Sequence, residues 1–219
     1  MKKTHIETLI HILQKITTSL PIPLSKQILL EYGRDPFLIL ISCLLSLRAK
    51  DKKTISICRT LFTLAKTPEA LLQLPQQTLE TIIFPIGLHK HKATTLHTIS
   101  KTLIDTFQKT VPNTTQELLS IHGIGKKTTN LVLGLAFEIP ALCVYIHVHR
   151  ISNRLGIIKT THIHNSEHAL QIAIPQKYWI EWNQLLVPLG QNICVPTKPF
   201  CSKCPIFNHC ARNEIKRSR

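Results

Sequence analysis

The sequence predicts an all-α protein, and three features of its 219 residues point to that class. Apolar residues recur at helical spacing along almost the whole chain, which is the pattern of amphipathic helices packed on a core. Strand-like alternation is rare, and the β-branched stretch 144–149 is short. Gly (7 residues) and aromatics (5%) are scarce whereas Leu and Ile are abundant, which favours aliphatic helix packing. We expect about a dozen helices.

The predicted helices follow one another from the N-terminus. The first covers 6–16, and the next covers 36–47, an apolar run that is too short to span a bilayer and so fits a buried helix. Asp51 is a suitable N-cap for the following helix, because its carboxylate can accept from first-turn amides. Pro68 and Pro75 each suit a helix start. Later helical patterns include Leu96, Ile99, Leu103, Phe107, Leu131, Leu135, Ile151, Leu155, Ile172 and Leu185.

The chain is strongly basic. Lys and Arg total 27 against 12 acidic residues, a formal net charge of +15. A field of this sign attracts polyanions, so nucleic acid is the leading class of partner, and a basic protein without a polyanion partner is the alternative. The basic residues are spread along the chain, which is evidence against binding to a membrane surface. Since no export signal is convincing, we expect an intracellular protein.

Four of the seven cysteines are close together near the C-terminus. The pattern C-x6-C-x2-C-x5-C is formed by Cys194, Cys201, Cys204 and Cys210. Four thiolates so close in sequence can converge on one centre, so the pattern predicts either a [4Fe–4S] cluster or a structural zinc. The other three cysteines stand at isolated apolar positions: Cys43, Cys58 and Cys143. We expect these three to be core residues.

Two glycines separate two helical patterns within the segment 119–127. Gly123 and Gly125 permit backbone torsions that other residues resist, and they would let backbone amides approach a phosphate. The start of the following helix adds a partial positive charge. We interpret the segment as a hairpin that binds a DNA phosphate with Gly123, Gly125 and Lys126 and does not read sequence. An ordinary turn is the alternative.

Lys127 lies in the first turn of the helix that follows this hairpin. A cation there meets the helix dipole unfavourably and has Lys126 beside it, so the neutral amine is favoured. A neutral amine is a nucleophile that can form a Schiff base. A lysine that only binds phosphate is the alternative.

Together these segments resemble the endonuclease III family of the helix–hairpin–helix DNA glycosylase superfamily, over nearly the whole chain. The four-cysteine pattern matches the family's cluster loop in every spacing. The hairpin 121–129 matches a family segment that reads L-P-G-V-G-x-K-T-A, and 144–150 matches V-D-T-H-V-x-R. Residues 44–51 and 86–88 match two further family segments.

The resemblance implies a two-lobed all-α fold. Residues 25–140 would form a six-helix barrel that contains the helix–hairpin–helix. Residues 1–24 and 141–219 would form a helical lobe that carries a [4Fe–4S] cluster in the loop 194–210.

The resemblance also implies a chemistry. Lys127 would attack C1′ of a nucleotide flipped out of the duplex, expel the base, form a Schiff base and break the strand by β-elimination. Arg48 and Leu88 stand where the family inserts side chains into the resulting gap. We therefore expect a monomer, in the cytoplasm at the nucleoid, that binds double-stranded DNA with a damaged base or an abasic site.

One important family position differs in this chain. The aspartate of V-D-T-H is Tyr145 here, no Asp occurs after Asp105, and the nearest carboxylate is Glu138. The resemblance implies that this aspartate helps to activate the nucleophile and stabilises positive charge developing on the sugar, and a neutral phenol does the second poorly. Tyr145 can still hydrogen-bond a sugar oxygen, so we keep it as a catalytic position. Two smaller departures occur. His122 stands where the family has the hairpin proline, and Arg48 stands where the family has a polar residue that is usually uncharged.

Three hypotheses remain for the function. The favoured one is a bifunctional glycosylase and abasic-site lyase for oxidised pyrimidines. The alternatives are a lyase that has lost most base removal and a catalytically silent protein that binds damaged DNA. The presence of Lys127 is evidence against the silent protein, whereas Tyr145 favours one of the two alternatives.

Overall fold

The computed structural model describes the backbone of residues 3–219 and the side chains of residues 6–219. This range contains twelve α-helices and no β-strand, which confirms the predicted all-α class. The helices are α1 (Lys3–Thr17), α2 (Leu24–Tyr32), α3 (Pro36–Ser46), α4 (Asp51–Leu64), α5 (Pro68–Gln73), α6 (Gln76–Ile83), α7 (His89–Thr106), α8 (Thr115–Ser120), α9 (Lys126–Phe137), α10 (Ile146–Leu155), α11 (Ile163–Ala173) and α12 (Trp179–Asn192). Short 3₁₀ helices occur at Gln176–Tyr178, Cys201–Lys203 and Phe207–His209.

The chain divides into two compact units. One unit is Leu24–Ile139 and contains α2 to α9, of which α5 and α8 have only six residues each. The other unit combines Met1–Pro23 with Pro140–Arg219 and contains α1 and α10 to α12. Residues 1 and 2, which belong to the second predicted lobe, lie outside the described residues. Within the described part of the chain, no helix is both long and apolar enough to cross a membrane.

The unit 24–139 is built around α3. Residues 37–45 of this helix are all buried, as expected for the apolar run 36–47. Pro36 occupies the first helical turn, and the Asp35 carboxylate accepts from the backbone N–H of Leu38 at 2.9 Å, which caps the helix. Helices α2, α4, α7 and α9 pack against α3. The helix that follows the predicted hairpin is therefore held against the most buried helix of its unit.

Two of the predicted helix starts are confirmed and one is wrong. Pro68 is the first residue of α5, and Pro75 is the N-cap of α6. The N-cap of α4 is Lys50, whereas the prediction placed Asp51 there. Asp51 is instead the first helical residue, and its carboxylate accepts from the backbone N–H of Leu24 at 3.1 Å. The carboxylate therefore satisfies the first amide of α2, a contact that local sequence does not reveal.

The second unit has an aliphatic core around the fully buried Trp182 of α12. Helix α12 packs against α1 and α10. Gly190 permits the close approach of α10, because a Cβ at that position would lie 2.5 Å from Nδ1 of His147.

The three isolated cysteines are buried, as predicted. Burial raises the pKa of Cys43 to about 11 and the pKa of Cys58 to about 12. These two thiols therefore stay protonated near neutral pH and have little reactivity, which fits their role as core residues.

Candidate active site and cysteine centre

The predicted hairpin connects α8 to α9. Ile121 and Ile124 are buried on either side of its tip, and the N–H of Ile124 donates to the carbonyl of Ile121 at 3.0 Å. Gly123 has a φ of 95°, and a Cβ there would lie 2.7 Å from Cγ2 of Thr95 on α7. Both the backbone conformation and the available space therefore require glycine at position 123.

Gly125 is the N-cap of α9, but the torsional reason predicted for it is wrong. Its φ of −101° and ψ of 171° are extended values that any residue adopts. A Cβ at Gly125 would meet no atom within 4 Å. Glycine here keeps space open beside the start of α9, where the helix dipole favours an anion.

The two lysines after the hairpin differ in exposure. Lys126 and Lys127 are the first two residues of α9, and Lys126 is exposed whereas Lys127 is half-buried. The positive charge of Lys127 acts on the buried thiol of Cys43 in α3, where it opposes the rise in pKa that burial causes. The Lys127 side chain therefore lies near the boundary between α9 and α3.

Glu138, the carboxylate nearest to Tyr145 in sequence, does not serve Lys127. It is the C-cap of α9, eleven residues beyond Lys127, which corresponds to about 16 Å along a helix. Its Oε1 pairs with Arg34 at 2.8 Å. Tyr145 is the N-cap of α10, is 41% exposed, and belongs to the other unit.

Arg48 and Leu88 share an unusual backbone conformation. Their φ values are 56° and 61°, in the left-handed region of backbone conformation that residues other than glycine rarely adopt. Arg48 directly follows the C-cap of α3, and Leu88 is the N-cap of α7. Both side chains are exposed, Leu88 to 57%. Packing within the unit therefore does not explain why a leucine occupies this position.

Lys92, which the sequence analysis did not single out, connects these two segments. This residue of α7 is buried, and its Nζ donates to the carbonyls of Leu45 and Leu47, both at 2.7 Å. Its backbone N–H donates to the carbonyl of Leu88 at 2.8 Å. Burial lowers the pKa of Lys92 to about 8. The available signal in the sequence was the position of Lys92 in its helix. It lies four residues before Leu96, on the same apolar face, which predicts that it is buried.

The four clustered cysteines line one cavity, which α10, α12 and the loop 194–210 enclose. Burial raises the pKa of Cys204 to about 11, and the charges of the other three cysteines act in the same direction. The four cysteines therefore lie around the same cavity. Within residues 3–219, no group of three or more His, Cys, Asp or Glu side chains is arranged to hold a single metal ion.

Two arginines of α10 hold the start of the cysteine loop, and the sequence analysis missed the role of Arg154. This buried guanidinium donates to the carbonyls of Val195 at 2.8 Å and Pro196 at 2.6 Å, and to Sγ of Cys194 at 3.3 Å. Arg150 donates to the carbonyl of Cys194 at 2.9 Å. The four-residue spacing that puts both arginines on one helix face was the available signal.

Known proteins with similar sequences show the family to which this chain is related. Residues 41–176 match the family model described as HhH-GPD superfamily base excision DNA repair protein. An endonuclease III of Thermotoga maritima is 40% identical over 176 residues, which cover 80% of this chain and 83% of the relative. An endonuclease III of Bacillus subtilis is 32% identical over 181 residues, covering 82% of this chain and 83% of the relative.

Solved structures of endonuclease III are also similar to this chain. A non-covalent endonuclease III–DNA complex has a TM-score of 0.84 at 29% identity, over 97% of this chain and 96% of that chain. A trapped covalent endonuclease III–DNA intermediate has a TM-score of 0.83 at 28% identity, over 97% of both chains. These matches define the class as base excision DNA repair proteins of the HhH-GPD superfamily. Within that class, the chain belongs to the endonuclease III family, whose members are DNA glycosylases and abasic-site lyases.

Proposed function

We propose that this endonuclease III-type enzyme removes oxidised pyrimidines from double-stranded DNA and cleaves the resulting abasic site, with Lys127 as its nucleophile. One observation carries the proposal: Lys127 is a half-buried lysine in the first turn of the helix that follows the hairpin, within the family-matched residues. The DNA complexes of the structural neighbours and the net charge of +15 support duplex DNA as the partner. The protein would act as a monomer at the nucleoid.

The chemistry requires one amine and a nucleotide flipped out of the stack. The neutral Lys127 amine attacks C1′, a C–N bond forms, and the glycosidic bond breaks with its electron pair leaving on the base. Opening of the sugar ring converts the adduct into a Schiff base. Loss of a C2′ proton then expels the 3′ phosphate, which breaks the strand. At an abasic site, the amine adds to the C1′ aldehyde of the opened sugar, and the Schiff base forms with loss of water in place of a base.

Two groups of residues in the unit 24–139 would bind the DNA. Gly123, Gly125 and Lys126 would hold a backbone phosphate at the start of α9, where Gly125 leaves open space and the dipole favours an anion. Arg48 and Leu88 would enter the gap left by the flipped nucleotide. Their exposure on left-handed backbone, which intramolecular packing does not explain, supports this role.

The cysteine loop would hold a [4Fe–4S] cluster, one thiolate to each iron. Its ligands would be Cys194, Cys201, Cys204 and Cys210. The donor set fits, because four thiols line one cavity and Arg154 donates to one of the sulfurs, a contact that stabilises a thiolate ligand. The bound cluster would have a structural role, and Arg150 and Arg154 would fix the start of the loop around it. In this proposal, residues 25–140 are the barrel with the hairpin, and 1–24 with 141–219 are the cluster lobe.

Tyr145 supports a second candidate function. An aspartate at this position would stabilise positive charge on the sugar, and a phenol provides no such charge. Base removal depends on that stabilisation more than strand cleavage at an existing abasic site does. The second candidate is therefore a lyase with weak base removal, and a silent binder of damaged DNA is the third.

Borohydride trapping separates the three candidates, because it reduces the Schiff base to a stable covalent amine. The protein is incubated with a duplex that contains an abasic site and, separately, with one that contains 5-hydroxyuracil. A bifunctional glycosylase forms covalent complexes with both duplexes. A lyase with weak base removal forms them only with abasic DNA. Binding to both duplexes with trapping of neither would contradict the proposed function and leave the silent binder.

A further inference from the structure

Lys92 connects the two left-handed segments of the unit 24–139. We propose that Lys92 is a positioning residue that holds Arg48 and Leu88 in the conformation needed to enter the gap in damaged DNA. The inference rests on the proposed function, because it assumes insertion by these two residues.

The first step concerns the end of α3. The last carbonyls of a helix accept no hydrogen bond from within the helix, and they carry partial negative charge. The Lys92 ammonium binds two of them, those of Leu45 and Leu47, at 2.7 Å each. The Leu47 carbonyl belongs to the peptide bond that leads into Arg48. Lys92 therefore fixes the peptide group directly before the left-handed turn at Arg48.

The second step concerns the start of α7. The backbone N–H of Lys92 donates to the carbonyl of Leu88 at 2.8 Å, which is the first helical hydrogen bond of α7 and would form with any residue at position 92. What is specific to Lys92 is its ammonium group, which ties the first turn of α7, where Leu88 is the N-cap, to the end of α3 directly before Arg48. Left-handed backbone at residues other than glycine persists only where the surroundings over-determine it. The two side-chain bonds of Lys92 supply that constraint at the peptide before Arg48, and they hold the turn of α7 that begins at Leu88 against it.

The third step concerns burial. Lys92 is 8% exposed, so it cannot itself reach a DNA strand. Burying an ammonium is costly unless its donors are satisfied, and a helix end at the surface can be completed by water or glycine instead. A buried lysine that spans two segments therefore does more than terminate α3. It sets the positions of the Arg48 side chain after α3 and the Leu88 side chain at the start of α7.

The test uses Lys92→Met, which keeps the length of the side chain and removes its donors. The readout is the ratio of two dissociation constants, for an undamaged duplex and for the same duplex with a tetrahydrofuran abasic analogue, measured well below the melting temperature. We expect the preference for the abasic analogue to fall about ten-fold, with affinity for undamaged DNA changed less than about two-fold. Lys101→Met is the matched control, since Lys101 lies on the same helix and is exposed. It should leave the ratio unchanged.

A double-mutant cycle with Leu88→Ala separates this inference from the proposed function. Leu88→Ala should lower the ratio in the wild-type background and change it less than about two-fold in the Lys92→Met background. If Leu88→Ala has no effect in the wild type, insertion by Leu88 is wrong. If Leu88→Ala lowers the ratio but Lys92→Met lowers only the melting temperature, Lys92 has a structural role and the inference is overturned.

Lys92→Gln keeps the test decisive if Lys92→Met fails to fold. Glutamine retains an N–H donor but is too short to satisfy both carbonyls in their present positions. The ratio for Lys92→Gln should lie below that of the wild type. A ratio equal to the wild-type value in a folded Lys92→Gln protein would overturn the inference.

Discussion

Tyr145 stands where the resemblance to the endonuclease III family implies an aspartate. It caps α10 on extended backbone, and its ring is 41% exposed. The only nearby carboxylate in the sequence, Glu138, is paired with Arg34 at the far end of α9 and cannot replace the aspartate for Lys127. Positive charge that develops on the sugar as the base leaves would therefore meet a phenol at this position.

Tyr145→Asp should raise base removal more than strand cleavage. An anion at this position stabilises the sugar cation, and one well-placed electrostatic contact in a site is worth roughly two to three orders of magnitude in rate. The expected gain is at most that, because the surroundings are adapted to a phenol. Single-turnover rates of base release from 5-hydroxyuracil DNA and of cleavage at a preformed abasic site measure the two steps.

Tyr145→Phe is the matched control for this experiment, because it removes only the hydroxyl group. It should leave the rate of base release near that of the natural protein, without the gain of the aspartate variant. If the natural protein already releases oxidised pyrimidines rapidly and Tyr145→Asp slows it, the tyrosine is itself a working catalytic group.

Residues whose role depends on local sequence could be predicted, and those whose role depends on distant contacts could not. Gly123 was predictable because turn chemistry is local. The register of Lys92 on an apolar helix face was a local signal of burial, but its role was not predictable, because its acceptors at the end of α3 lie 45 and 47 residues away. The torsional role predicted for Gly125 was wrong, because an N-cap adopts extended backbone that does not need glycine.

The hairpin and α9 form the element that would bind the DNA backbone. Its buried anchors and the left-handed Gly123 fix the turn, and Gly125 leaves the start of the helix accessible. Phosphate contacts of this kind do not depend on the base sequence. Binding through this element should therefore be electrostatic and non-specific.

Gly125→Leu should weaken binding to all duplexes alike, because a bulky side chain would fill the open space at the start of α9. The dissociation constant of the natural protein should rise steeply with salt, since each neutralised phosphate releases counterions. Lys126→Ala should reduce the slope of log K against log salt by about one. Fluorescence anisotropy over a salt series measures both effects. Affinity that is independent of salt would contradict the interpretation of the hairpin.

The loop 194–210 is the element that would hold the cluster. Protein purified without oxygen should be yellow-brown and contain about four irons per chain. Cys204→Ser should lower the iron content, whereas Cys143→Ser should not, because Cys143 is a buried cysteine in the same unit outside the loop. Iron analysis and the visible spectrum provide the readouts. Colourless protein with one zinc per chain would reject the cluster.

Helices were predicted best where the pattern of apolar residues was strong. The uniformly apolar run 36–47 predicted a buried helix, and α3 is buried through residues 37–45. The N-cap of α4 was misplaced by one residue because Asp51 serves as an acceptor for α2 instead. Such a contact becomes visible only after the two helices have packed.

The whole molecule combines a basic charge with two compact helical units and an endonuclease III fold. The all-α class followed from helical periodicity, and the family followed from the hairpin and the cysteine spacing. Lys127, the proposed nucleophile, lies directly after the hairpin in the family-matched residues of this basic chain. Lys126 offers an internal comparison, because it adjoins Lys127 on the same helix but is exposed.

Borohydride trapping of Lys127→Ala and Lys126→Ala on abasic duplex DNA tests this account of the nucleophile. Lys127→Ala should abolish the covalent complex because the proposed Schiff-base amine is removed, while binding to an uncleavable abasic analogue stays within about three-fold of the wild type. Lys126→Ala should still form the covalent complex, with weaker DNA binding. Undiminished trapping by Lys127→Ala would contradict the account, since a different residue would then be the nucleophile.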